Sequence, residues 1–467
     1  MQSRSHAFKS AAEAALSDAQ LQASLRGLDS KFVAERARAV AELPGFEALR
    51  DAGAEITDHS LSHLDLYLER FQEEVAAAGG QLHFAEDAAQ ARETVVGLCR
   101  AAGAGSVVKS KSMIGEEAGI NAALEAAGMS PVETDTGEYI LQLAEEPPSH
   151  IVAPAYHKRR EEVAALFRAK HGGARERGSG EQLVGEAREV LRRRYFDAEV
   201  GLTGANFLVA ETGQCVLVTN EGNADLCARL PKRHIVLASI DKLVPTLEDT
   251  SLLLRLLARS ATGQATTMYT TFAAGPRRSG EQDGPEAFHV VLLDNGRSRM
   301  LADERLRPAL RCIRCGACMN HCPVYASVGG HAYGWVYPGP IGAAINPALN
   351  GQTESKHLPQ ASTLCGACEA VCPVKIPLPM MFRYWREQAH AQRISPARER
   401  WGVRLWARLA AHPRLYRLAL RLARTALTLW ARGGAARWIP FAGGWTRRRD
   451  MPAPAPGRGP RFAGRRR

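Results

Sequence analysis

Apolar residues recur at helical spacing through the opening of the chain, down to Leu64-Asp65-Leu66-Tyr67-Leu68 and on to Val75. Gly79-Gly80 stops that amphipathic helix, and Gln81–Phe84 then reads as a strand. Short apolar runs and helical stretches alternate from there. Ser106–Lys109 (SVVK) precedes a helix beginning near Ile114, and Ile151–Ala155 (IVAPA) reads as a strand before a helix from about Arg159. Phe207–Ala210 and Cys215–Thr219, joined by Glu211-Thr212-Gly213-Gln214, predict a hairpin. Ile235–Ser239 and His289–Leu293 predict two further apolar strands. This alternation predicts an α/β region over residues 1–300, with a mainly parallel sheet covered by helices.

The pattern changes twice after residue 300. Residues 301–392 carry most of the cysteines, and between Cys322 and Cys365 the chain is loop-rich. The glycines and prolines of Gly329–Pro340 predict no regular element there. Residues 393–467 form a third part. Arg414, Arg417, Arg421 and Arg424 recur at helical spacing beside an apolar stripe of Leu415, Leu418 and Leu422. Trp401, Trp406, Trp430, Trp438 and Trp445 add amphipathic anchors, and the Pro/Gly/Arg-rich end from Pro452 is expected to be disordered.

At 467 residues the chain exceeds a single core, so two or three domains are expected. The net charge of +11 is a property of the tail. Residues 391–467 hold nineteen Arg, no Lys and two acids (Glu399 and Asp450), a sum of +17 that leaves −6 for the rest. Such a tail suits docking to an acidic partner first and an anionic membrane surface second. Nucleic acid ranks last, because no recognised DNA- or RNA-binding motif accompanies the arginines. No uncharged run approaches the roughly 20 apolar residues of a membrane-spanning helix.

Seven of the ten cysteines fall in two clusters, Cys312-x2-Cys315-x2-Cys318-x3-Cys322-Pro323 and Cys365-x2-Cys368-x3-Cys372-Pro373. The first is the spacing of bacterial ferredoxins, which wraps three thiolates around one cubane and sends the fourth to another. Residues three apart in a tight loop present their sulfurs to one concave side, and backbone N–H groups of the loop donate to the cluster. Structural zinc sites pair short Cys units across a long gap, whereas four cysteines within eleven residues crowd a single ion. A disulfide framework belongs to secreted chains, and Met1–Leu16 lacks the apolar core of a signal peptide. The sequence therefore predicts two [4Fe-4S] clusters and one-electron chemistry in the cytoplasm, with peripheral contact to the inner membrane face through the tail as a further expectation.

By ferredoxin crossover, Cys312, Cys315, Cys318 and Cys372 complete the first cluster, and Cys322, Cys365 and Cys368 serve the second. The second is one ligand short, because Ser362 stands where a fourth cysteine belongs. A cubane with three thiolates and one exchangeable iron is the favoured reading. A three-iron cluster, rescue by Cys99, Cys215 or Cys227, and a serine alkoxide are the alternatives. The aromatic residues of the Gly329–Pro340 stretch suit either plain loop packing or shielding of a cluster from water.

The two cysteine motifs, Gly329–Ala343 (GGHAYGWVYPGPIGA) and the N-terminal α/β region together resemble the lactate utilization protein B family, from about residue 20 into the tail. The stretches that carry the N-terminal likeness are Val107–Gly115 (VVKSKSMIG), Thr203–Asn206 (TGAN) and Glu211–Asn223 (ETGQCVLVTNEGN). The resemblance implies a LUD domain of NagB/CoA-transferase-like fold, then an α-helical ferredoxin-type domain with seven cysteines, then a basic helical tail. It implies an electron carrier in the oxidation of L-lactate to pyruvate. The implied partners are a second iron–sulfur subunit and a small LUD-only subunit.

Within the α/β region, Lys109 and Lys111 follow a strand and precede a helix, where open α/β sheets bind ligands. Glu221-Gly222-Asn223 ends another strand, and Glu221 is a candidate base or nucleophile. These three side chains are expected to converge on an anion pocket. No GxGxxG fingerprint follows a strand and no other flavin motif is evident, so the two-electron step of lactate oxidation is expected from a partner. The competing reading is a LUD-domain enzyme of acyl or phosphosugar chemistry whose clusters sense redox state.

Overall fold

The apolar runs of the first 300 residues fold as strands in a computed structural model that describes residues 2–173, 175–431, 434–439, 446 and 449–454. In chain order these are β1 (Gln81–Ala85), β2 (Ser106–Lys109), β3 (Ser130–Glu133), β4 (Val200–Thr203), β5 (Phe207–Val209), β6 (Gln214–Thr219), β7 (Arg233–Ser239), β8 (Leu243–Val244), β9 (Tyr269–Ala273) and β10 (Ala287–Leu293). One sheet is wholly parallel, in the order β1-β10-β7-β4-β2-β3. Strands buried on both faces carry continuous apolar runs, and Val290–Leu293 and Ile235–Leu237 have no exposed surface. Alternate residues still serve opposite faces. Ile235, Leu237, Val291 and Leu293 pack with Val95 and Leu124, while Val236, Val290 and Leu292 pack with Phe71 and Val75.

The predicted hairpin is present as β5 and β6, with Phe207 opposite Val216. It belongs to a second, mixed sheet in the order β8-β5-β6-β9. The strand expected at Ile151–Ala155 does not form. Ser149 N–H donates to the Pro154 carbonyl at 3.1 Å, and the N–H groups of Val152 and Ala153 both turn onto His150 Nδ1 at 3.0 Å. Pro154 has no N–H to offer a ladder, so the segment closes on itself before the helix Arg160–His171.

The stretch between the cysteine motifs is more helical than its glycines and prolines predict. Helices span Pro323–Val328 and Gly339–Leu349, with a 3-10 turn at His331–Tyr333 between them. Pro323 and Pro340 stand in first turns, where a missing N–H costs nothing.

The N-terminal helices do not cover the sheet alone. Phe8, Leu25, Leu28, Phe32 and Phe46 share one core with Met319, Tyr325, Tyr333 and Phe382 of the cysteine-bearing region. Polar contacts fix the same seam. Arg50 donates to the Cys372 carbonyl at 3.0 and 2.8 Å, Arg36 to the Val371 carbonyl at 2.9 Å, and Arg311 pairs with Asp58 at 2.5 Å. A buried network closes the other side. Arg297 binds Glu117 through two nitrogens at 2.9 and 2.7 Å and Asp241 at 2.8 Å, and the Tyr337 hydroxyl donates to Glu117 at 2.6 Å.

These contacts make residues Met1–Ala391 one compact unit, and Gln392–Arg467 form another. The second holds helices Ala397–Ala411 and Pro413–Trp430, neither with a buried residue. Leu415, Leu418 and Leu422 are exposed, as are Trp401, Trp406, Trp430 and Trp438. Trp445 and most of the Pro/Gly/Arg-rich end, from residue 455, lie outside the described residues. Among the described residues no helix is long and apolar enough to cross a membrane.

Candidate metal centre

Two short loops of the same backbone form hold the cysteines. Arg314 (φ 58°) and Gly316 (φ 75°) flank Cys315, and Leu364 (φ 57°) and Gly366 (φ 83°) flank Cys365. A non-glycine residue in the left-handed region is uncommon, and its recurrence one position before a cysteine in both loops marks a shared constraint. The turn aims N–H groups at the ligand side. Arg314 N–H donates to Cys312 Sγ at 3.4 Å, Ala317 N–H to Cys315 and Ala367 N–H to Cys365. In the second loop Leu364 N–H donates to Ser362 Oγ at 3.1 Å. The serine oxygen thus accepts the bond that the Cys312 sulfur accepts in the first loop. Each motif then ends at a Cys-Pro step. Cys322 accepts from Val324 and Tyr325, and Cys372 from Val374 and from Ile376 at 3.4 Å.

The sulfurs fall into two neighbourhoods. Cys315 and Cys318 feel the charges of Cys312 and Cys372, while Cys322 and Cys368 feel Cys365 and Cys368 feels Cys322. Cys318 also senses Cys368, which brings the two groups close. A hollow lined by Cys322, Cys365, Cys368, Ser362 and Tyr333 marks the second group. All ten cysteines are free. Among the described residues no three His, Cys, Asp or Glu side chains converge closely enough for one metal ion.

Burial pushes the Cys372 thiol up to about 11 and the Cys368 thiol up to about 12, so iron rather than water is what would hold these sulfurs as thiolates. Cys365 differs. It is exposed together with Thr363 and Leu364, and the Ala367 N–H and Thr363 hydroxyl draw its thiol below the ordinary value. Cys315 and Cys372 are buried, and Arg36 and Arg50 stand beside them. Tyr333 hydrogen-bonds the Cys322 side chain, so one aromatic of the Gly329–Pro340 stretch does lie against a cysteine group. Cys99, Cys215 and Cys227 are fully buried in separate packing layers around the parallel sheet and line no part of the second hollow.

The candidate residues of the α/β region separate. Lys111 and Glu221 line one cavity of about 590 Å³ at the carboxyl ends of β2, β3, β4 and β7. Lys111 Nζ donates to the Val152 carbonyl at 2.9 Å, and Glu221 accepts from Thr136 N–H at 3.0 Å and its hydroxyl at 2.8 Å. Burial and Asp135 raise the Glu221 carboxyl above its usual range. Lys109 does not reach that cavity. Parallel register sets it beside Glu133, and its fully buried ammonium pairs with Glu133 at 2.7 Å and Glu116 at 3.0 Å. Burial alone would lower its affinity for a proton, but the two carboxylates hold it above the ordinary lysine value. Glu138 completes this buried group, with its carboxyl well above the usual range because it is buried and faces Glu133.

Two cations escape sequence reasoning. Lys242 and Arg314 also line the cavity, and Lys242 Nζ reaches the Cys312 carbonyl at 2.6 Å. Only Arg314 carried a local signal, its place inside the first cysteine motif.

Comparisons with known proteins agree with this layout. A LUD domain family model matches residues 68–293, a 4Fe-4S dicluster domain matches 308–376, and a lactate utilisation protein B C-terminal model matches 388–459. The dicluster match encloses all seven motif cysteines. Lactate utilization protein B of Oceanobacillus iheyensis is 46% identical over 88% of this chain and 86% of its own length. Its counterpart in Geobacillus sp. (strain WCH70) is 43% identical over 96% of this chain and 94% of its own. An uncharacterized electron transport protein of Escherichia coli (strain K12), YkgF, is 41% identical over 95% and 94%. A solved DUF162 family protein from Deinococcus radiodurans aligns with a TM-score of 0.29 at 15% identity, over 49% of this chain and 98% of that one.

Proposed function

The chain belongs to the lactate utilization protein B family, and we propose that it carries electrons through two [4Fe-4S] clusters in the oxidation of L-lactate to pyruvate. The observation that carries this reading is the pair of loops of one backbone form, each turning N–H groups onto cysteine sulfurs. Cys312, Cys315, Cys318 and Cys372 would hold the first cluster, and Cys322, Cys365 and Cys368 the second with three thiolates. The clusters supply reversible one-electron storage.

The protein's own residues set where electrons are held and where they leave. N–H donors to sulfur, together with Arg36 and Arg50, favour the more negative, reduced state of the first group. Burial of Cys315 and Cys372 keeps water from it. The exposed edge at Thr363–Cys365 gives the second group its port to a partner. L-Lactate loses two electrons and two protons on becoming pyruvate. A partner bearing a two-electron acceptor such as a flavin would take that pair, release the protons to water and pass single electrons on. We assign this step to the second iron–sulfur subunit and the small LUD-only subunit, with the arginine-rich helix Pro413–Trp430 as the docking element. The parallel sheet supports a NagB/CoA-transferase-like LUD fold within the same reading.

Lactate-dependent dye reduction by anaerobically purified components tests the proposal. The chain alone should show none. The reconstituted mixture of three should, and removing residues 392–467 should slow it without removing iron. Robust lactate oxidation by this chain alone would contradict the assignment.

A further inference from the structure

The cavity at the sheet's carboxyl ends has two walls of different origin. One is the LUD sheet, with Lys111 after β2 and Glu221 after β6. The other is the first cysteine loop, contributing Ile313 and Arg314. Arg314 links the two environments. Its N–H donates to Cys312 Sγ at 3.4 Å, its guanidinium lies 4.5 Å from the Tyr337 ring centre, and Nη1 is buried without a hydrogen-bond partner. Lys242, which lines the same cavity, is tied to the Cys312 carbonyl and to Asp241 at 3.1 Å.

The lining favours an anion. Among the described residues that line it, four cations stand against two carboxylates. One of those carboxylates, Glu221, is already occupied by Thr136. Lys111 Nζ donates to the Val152 carbonyl and acts on Glu221 through its charge, with no carboxylate within ion-pair distance among the described residues. A volume of about 590 Å³ with a partly apolar wall lies in the range of small-molecule sites.

We propose that this cavity binds a small organic anion, its carboxylate or phosphate held by Lys111 and Arg314, and that its occupancy lowers the reduction potential of the cluster on Cys312. The second half rests on the cluster assignment above. The physical reason is direct: a negative charge beside the first cysteine loop disfavours adding an electron there, and the low-dielectric wall screens it little. The same cavity then reports bound anion to the electron relay.

Calorimetric titration of the full chain with L-lactate, pyruvate, ribose 5-phosphate and inorganic phosphate tests the binding. EPR-monitored redox titration with and without the binding probe tests the coupling. At least one probe should bind, and the preferred arm tells carboxylate from phosphate. Lys111→Ala should weaken it roughly tenfold or more, the worth of one charged hydrogen bond, while Lys111→Arg retains most of it. Iron content should be unchanged in both variants. Bound anion should move the potential of one cluster downward and leave the other in place. No binding by any probe, or binding indifferent to Lys111→Ala, would overturn the proposal. Binding without a shift in either cluster would overturn the coupling. A chain without iron would fail the cluster assignment while calorimetry still judged the site.

Discussion

Ser362 is the most informative single residue in the chain. Its oxygen accepts the Leu364 N–H at 3.1 Å, as the Cys312 sulfur accepts the Arg314 N–H at 3.4 Å, so it stands in the second loop where Cys312 stands in the first. A hydroxyl is far harder to deprotonate than a thiol, and one iron of the second cluster would therefore be the weakly held one. Ser362→Cys should complete the set. Limited oxidation of the wild-type protein should release iron and yield an oxidised-state three-iron EPR signal, and the variant should resist both. Equal iron loss from the two proteins would show that this loop position does not face the cluster. The two cysteine loops were legible in the sequence because each motif is local and its spacing sets the turn, whereas Cys322 and Cys372 neighbour cysteines of the other motif, which no local spacing shows. The failure at Lys109 is equally physical. Sequence proximity to Lys111 suggested one pocket, but strand register sets Lys109 against Glu133 instead.

At the scale of elements, continuous apolar runs announced β7 and β10 because both faces of those strands are covered. Ile151–Ala155 was misread because its apolar run looks the same, while Pro154 and the His150 ring decide its backbone hydrogen bonds. The packing of the N-terminal helices onto the cysteine region was illegible. It depends on pairs such as Arg50 with Cys372 and Arg311 with Asp58, hundreds of positions apart. The Arg297 network is the same kind of contact. Arg297 follows β10, Glu117 follows β2, and Tyr337 comes from the loop between the cysteine motifs, so one guanidinium joins the sheet to the cluster region. Removing one partner of such a buried group leaves charges unpaired. Arg297→Met should therefore cost about 3–5 kcal/mol. Chemical denaturation should show a lower midpoint and loss of cluster absorbance in the same transition. A cost near zero would mean that the seam is held by its apolar core alone.

Across the whole molecule, these features line up in one direction. The cavity of the LUD sheet abuts the first cysteine group, the first group neighbours the second through Cys318 and Cys368, and the second reaches the surface at Thr363–Cys365. That order is what a relay from the cavity to a partner at Thr363–Cys365 would require. The net positive charge belongs to residues 391–467, while the rest of the chain sums to −6. The central claim is that two clusters occupy the two cysteine groups. Iron and acid-labile sulfide analysis with EPR, on anaerobically purified protein before and after dithionite, tests it most directly. The account predicts about eight irons and, on reduction, the signals of two interacting cubanes. Zinc in place of iron, or a single isolated cluster signal, would contradict it.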